Sequence, residues 1–340
     1  MKNPPKDPFF FGVRNILNYC VCFLIFLGCA AIFLFGRFDI IPFDKEDFSI
    51  YTMNYDINRL SYGEKAMAIT YGYNLFSSTA QLLGNNNNEQ AYVGNGLSCT
   101  NCHLESGTKA FAIPLIGVDK RFPQYRGRED KTGTLEERIN GCFERSMNGR
   151  KLPKDSKEMQ AFIAYIKWLG RYVQENEFVP GKGLKPFKLP NRKVNLTAGK
   201  KVFNQYCIAC HGLNGQGNRL EDGRYEFPPL WGKNAYNNGA GMTRVITAAQ
   251  FIKYNMPNGT THENPVLTNE EAYDVAGYIN QQKRPIKPQL AIDFPNRLKK
   301  PVSTPYPPYA DNFPLDQHQL GPFQPIIEFY REEHKINKSK

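Results

Sequence analysis

The sequence predicts a mainly α-helical chain: two similar helical domains in tandem, an apolar helix before them and a proline-rich extended tail after them. Three observations predict this. The motif C-x-x-C-H occurs twice, at Cys99 to His103 and at Cys207 to His211, 108 residues apart. Similar elements surround each copy, and such a period is a whole domain rather than a solenoid repeat. The two ends of the chain depart from this repeat in composition. At roughly 100–200 residues per domain, 340 residues allow two or three domains. With 41% hydrophobic and 22% charged residues the chain can bury a core, which excludes collagen, a coiled coil and a polytopic membrane protein.

In chain order, Ile16 to Phe35 is a run of 20 residues without charge, long enough to span a bilayer. Lys2, Lys6 and Arg14 precede it and Arg37 and Lys45 follow, a weak signal for the N-terminus inside. No A-x-A-like site follows, so residues 1–37 read as an uncleaved anchor, with a cleaved signal or a lipoprotein site at Cys29 as alternatives. The first domain covers 38–179. Ser61-x-x-Glu64 is a capping box that opens a helix to about Phe76. Asn85 to Asn88 is a low-complexity loop. A helix over Thr134–Met147 and an amphipathic helix over Lys157–Tyr172 complete this half. Residues 180–193 read as a linker. In the second domain, 194–284, Thr197 caps a helix running into Cys207, and Asn269–Gln282 is the last helix. The tail, 285–340, holds ten of the 24 prolines and reads as an extended strap or a partly disordered segment. Its aromatic residues argue for packing.

The repeated motif carries the chemistry. Two thiols at i and i+3 reach the two vinyl groups of a haem as thioethers, and the following His lies under the iron. Eight cysteines and five histidines in 340 residues give far less than one copy by chance. A zinc or thioredoxin-like site would not need His after both pairs. Two covalently attached haem c groups are therefore expected, on Cys99, Cys102 and His103 and on Cys207, Cys210 and His211. Covalent attachment occurs outside the bacterial cytoplasm, which puts the domains on the periplasmic side of the inner membrane, anchored by 16–35, or soluble in the periplasm if that segment is cleaved. Each motif is followed by Pro-Leu-x-Gly, at Pro114–Gly117 and Pro229–Gly232. These segments either supply a carbonyl to the His ring or are ordinary tight loops.

The second ligand of each iron decides between carrier and enzyme. In the second domain it is Met256, on a Met-Pro loop before the last helix, with Met242 and His262 as competitors. In the first domain, spacing alone slightly favours Met147. Met147 and Cys142 share one helix, about 140° apart around its axis, so both cannot face one iron. Three observations favour Cys142. Three of the eight cysteines lie in the apolar run and four in the motifs, so Cys142 has no partner thiol. A thiolate is a strong haem ligand. Arg138 at i−4 and Ser146 at i+4 share its helix face, and Arg121, Arg126 and Arg128 lie just upstream. These arginines suit an anion site, a solvated face or pairing with haem propionates.

With these residues the chain resembles the dihaem thiosulfate dehydrogenase / tetrathionate reductase family. The likeness rests on Leu97 to His103, Phe122 to Arg128, Ile139 to Gly149, Met256 to Gly259 and the tail segments Lys300 to Val302 and Gly321 to Phe323. The resemblance implies a catalytic haem held by His103 and Cys142, with Arg128, Arg138 and Ser146 binding the sulfur oxyanion. It implies a His211/Met256 haem that relays electrons. Some relatives carry Lys before the Met; here Asn255 stands there, with Lys253 nearby, which puts a ligand switch in doubt. The reaction implied joins two thiosulfates into tetrathionate with release of two electrons, or the reverse. The partners implied are thiosulfate, tetrathionate and a periplasmic or membrane redox protein such as another c-type cytochrome.

The formal charge of +11 suits an anion, and without a nucleic-acid-binding motif no nucleic-acid partner is expected. The competing reading is a membrane-anchored dihaem electron carrier with Met147 as ligand, or a subunit whose catalytic centre lies on another chain.

Overall fold

The computed structural model describes residues 49–84 and 91–338, together with Tyr19, Val21 and Phe23 in helical conformation. The expected anchor over 16–35, save those three positions, and the asparagine loop fall outside the described residues. No helix among the described residues is long and apolar enough to cross a membrane. Phe48–Lys340 forms one compact unit, with both motifs inside it.

The first half is built on α1 (Glu64–Ser77), α2 (Leu135–Arg145) and α3 (Lys157–Leu169), with α1 packed along α3. The second repeats the arrangement with α4 (Leu196–Tyr206), α5 (Val245–Asn255) and α6 (Asn269–Asn280), α4 packing on α6. One glycine makes each crossing possible. A Cβ on Gly72 would stand 2.0 Å from the Ala161 carbonyl oxygen in α3, and one on Gly199 would stand 2.1 Å from that of Asp274 in α6. The two antiparallel hairpins, Gln124–Arg126 with Lys131–Gly133 and Asn218–Arg219 with Tyr225–Phe227, are short excursions from the helical frame.

The caps refine the expectations. Thr134 and Glu137 form a reciprocal box at the start of α2, which orients the face carrying the later site residues. The start of α1 is Gly63 rather than Ser61, with no side-chain cap. The cap of α4 is Asn195, whose side-chain Oδ1 accepts from the Ala198 N–H at 3.0 Å, so Thr197 lies inside the helix. Asn outranks an interior Thr as a cap, and the sequence offers both within three residues.

The tail folds more than an extended strap would. It contains α7 (Leu315–Leu320) and α8 (Gln324–His334). Val302, Leu320, Phe323, Ile326 and Tyr330 share one core with Val194, Val245, Ile246, Ala248, Ala249, Tyr273 and Ala276. The apolar faces of α5 and α6 are thus covered by tail residues. The halves also interlock: Tyr236 and Ala240 belong to the core of the first half. The Asn237 side chain donates to Glu144 O at 2.9 Å and to the Asn148 amide oxygen at 3.0 Å.

Candidate active site

Each motif His is held the same way. His103 Nδ1 lies 2.6 Å from Ile113 O, and His211 Nδ1 lies 2.9 Å from Pro228 O. The carbonyl comes from the residue just before each Pro-Leu-x-Gly segment, so the expected tether lies one position upstream of it. Donation by Nδ1–H leaves Nε2 with its lone pair, the tautomer a metal needs. Burial pushes the His103 ring down to about 4 and lowers that of His211, so both are neutral. The linker secures the first tether, because Ile113 N–H donates to Gly183 O at 2.9 Å and Phe111 N–H to Gly181 O at 2.7 Å. Cys99, Cys102, Cys207 and Cys210 are free thiols. Burial raises Cys99, Cys102 and Cys207 to about 12.

Beside the first motif lies a cavity of about 400 Å³, lined by Cys102 and His103 and by Cys142, Arg138 and Ser146 of α2. The α2 face expected from spacing is therefore the cavity wall. Arg138 donates to Cys142 Sγ at 2.8 Å. Met147 is buried in the first core and is not among the residues lining the cavity. Arg126 and Arg128 also line it, whereas Arg121 lines a separate surface pocket. Most of the arginines have anionic partners. Arg126 pairs with Glu129 at 2.9 Å. Arg128 and Arg145 share the Asp293 carboxylate at 2.5 and 2.6 Å. Burial pushes that carboxyl up, but Arg128 and Arg145 outweigh it and hold it below the usual range.

A cavity of about 510 Å³ adjoins the second motif, lined by Cys207, Cys210, His211 and Met256. Cys102 and Met242 line both cavities, so the two share a wall. Met242 lies in the 3₁₀ turn Gly241–Thr243 just before α5. Of the alternatives to Met256, Met242 lines the same cavity, and three further residues lie elsewhere. Asn255 is 1% exposed and its amide donates to Phe111 O at 3.1 Å. Lys253 Nζ donates to Leu267 O. His262 packs edge-on to Phe111, 4.9 Å between ring centres. None of the three lines either cavity.

Sequence reasoning missed the contributions from outside the first half. Arg244 and Thr247, at the start of α5, and Phe294 of the tail line the first cavity. The Arg128 guanidinium stands 5.0 Å over the Phe294 ring. Asp293 is 165 residues from Arg128, and no local pattern announces that pairing. Arg244 did carry a signal, a cation at the positive end of an apolar helix that has no acid in its first turn.

Free thiols, neutral histidines with Nε2 available, and a cavity at each motif fit two c-type haems. Fold and site together define a tandem c-type cytochrome. The SoxA/TsdA cytochrome c domain matches residues 84–173 and the cytochrome c domain matches 196–283. The thiosulfate dehydrogenase of Allochromatium vinosum is 45% identical over 199 residues, covering 57% of this chain and 72% of that protein. That of Psychrobacter arcticus is 38% identical over 233 residues, 68% of each. Among solved structures, thiosulfate dehydrogenase (TsdBA) from Marichromatium purpuratum, in its as-isolated form, matches with a TM-score of 0.62 at 35% identity. That match covers 68% of this chain and 49% of the solved one. The chain belongs to the thiosulfate dehydrogenase family. It is an oxidoreductase with two covalently bound c-type haems.

Proposed function

We propose that the chain interconverts thiosulfate and tetrathionate in the first cavity. The observation that carries this reading is Cys142, with Arg138 on its sulfur, facing the same cavity as His103 among further arginines. His103 and Cys142 would hold the first haem iron, and His211 and Met256 the second. When bound, the haems supply the one-electron acceptors and donors that the reaction needs.

The chain's own residues do the rest. The reaction joins two dianions, so positive charge must offset their repulsion. Arg128, Arg138 and Ser146 bind the sulfonate oxygens. The Cys142 thiolate combines with the sulfane sulfur of one thiosulfate as a Cys–S–S–SO₃⁻ adduct, releasing two electrons. A second thiosulfate attacks the sulfane sulfur of the adduct, the atom that carries the sulfonate, expels the cysteine thiolate and leaves as tetrathionate. Atoms and charge balance in both directions, and the same groups serve the reduction of tetrathionate.

The resulting electrons would pass to a redox protein such as another c-type cytochrome on the periplasmic side, with the run 16–35 holding the enzyme to the membrane. The test is an assay of the dihaem protein from about residue 40 onward, with thiosulfate and an electron acceptor, and separately with tetrathionate and a reduced donor. Turnover is expected in at least one direction. Cys142→Ala is expected to abolish it while both haems remain attached, and full activity in that variant would overturn the role of Cys142.

A further inference from the structure

The first turn of α5 presents side-chain donors to the first cavity that nothing among the described residues fully satisfies. Arg244 stands at the N-cap position, and the only hydrogen bond of its side chain among the described residues goes from Nε to Gly241 O at 3.2 Å. No described carboxylate pairs with it, unlike Arg126, Arg128 and Arg145. Burial, followed by the nearby Arg128, pushes its guanidinium down to about 10. One turn on, Thr247 is 6% exposed, lines the cavity, and its Oγ1 has no partner. Nε of Arg145, a residue 9% exposed that also lines the cavity, is likewise unpartnered. No side chain caps α5. A guanidinium at the positive end of a helix dipole is repelled by it, unless an anion lies between them.

We propose that Arg244, Thr247 Oγ1 and the first N–H groups of α5 form a second oxyanion subsite, which takes the distal sulfonate of tetrathionate. This rests on the proposed function and extends it. Tetrathionate carries a sulfonate at each end. Arg128, Arg138 and Ser146 serve the end nearer Cys142, and the start of α5, from the other half of the chain, serves the other. The site therefore discriminates in favour of a long dianion with two terminal oxyanions.

The experiment is calorimetric titration of the oxidised dihaem holoenzyme with tetrathionate, where no electrons are available for turnover, alongside redox titration of both haems. Arg244→Gln is expected to weaken binding about tenfold or more, and Thr247→Val about threefold or more, the scale of one lost hydrogen bond to a charged group. Arg244→Lys is expected to recover part of the loss. Haem midpoint potentials are expected to stay unchanged in all three. Unaltered affinity in both Arg244→Gln and Thr247→Val overturns the subsite alone. Unaltered affinity with a shifted first-haem potential assigns these donors to a haem propionate instead. If the unaltered holoenzyme binds no tetrathionate, the proposed function falls and the subsite with it. Thr247→Val preserves shape, so it keeps the test decisive if Arg244→Gln fails to fold.

Discussion

Asp293 decides how much of the cavity's positive charge is free. Its carboxylate is 6% exposed and holds two arginines, with the Tyr306 hydroxyl donating to it at 2.8 Å. Removing one member of a buried ion pair costs about 3–5 kcal/mol, because the partners stay buried without compensation. Asp293→Ala is therefore expected to lower stability by about 3 kcal/mol or more in urea denaturation. An unchanged midpoint would show that the two arginines find other acceptors. At this scale the sequence was legible where chemistry is local. Cys102, His103, Cys207, Cys210 and His211 of the motifs, the Arg138/Cys142/Ser146 face and Met256 line the two cavities, while Cys99 does not. The partners of Arg128 were not legible, because a pairing across 165 residues has no periodicity to betray it.

Among elements, the two helix crossings carry the fold. Gly72→Ala and Gly199→Ala would each drive a methyl into a backbone carbonyl of the facing helix. Backbone yields less than side chain, so each is expected to cost about 1–3 kcal/mol or more in thermal unfolding. Stability within a few tenths of the parent would mean that the helices can slide apart. Five of the six main helices of the two halves were legible from caps and apolar spacing, with ends that moved by only a few residues, whereas α5 was given no range. Caps were less legible, because Ser61 and Thr197 are good cap residues by type that lost to neighbours. The linker was read as a spacer from its Gly and Pro content. Its backbone in fact accepts from Phe111 and Ile113, so it braces the loop that orients His103. Composition cannot report a backbone pairing.

For the molecule as a whole, the tail is structural. Lys300 is 3% exposed and donates to Pro308 O at 2.9 Å, under the rings of Tyr306 and Tyr309. Lys338 donates to Lys300 O at 2.6 Å. Burial first of all pushes both ammonium groups down to about 8. In the unfolded chain a lysine titrates near 10.4. Between about pH 8 and 10.4 the unfolded state therefore binds more protons, and stability attributable to these groups rises with pH through that window. Lys300→Met is expected to flatten this rise in denaturation curves taken across the window, and an identical slope would exclude Lys300 as its source. The proline count had suggested a strap. The two helices within it went unseen, because their apolar residues pack against α5 and α6 and so show a pattern only in three dimensions.

A ribosome delivers Cys99 and Cys102 long before Phe294, which lines the first cavity, and Asp293, which pairs with Arg128. Until the tail arrives, the cavity lacks Phe294. The thiols remain within reach of whatever machinery installs the haem, while the arginine array is still unassembled. Docking of the tail after haem attachment would make substrate competence the last property the chain acquires. A chain ending at residue 284 is expected to acquire thioether-linked haem at Cys99 and Cys102, detectable by mass spectrometry, while losing tetrathionate affinity. Failure of that attachment would mean that the tail docks before the haem goes in.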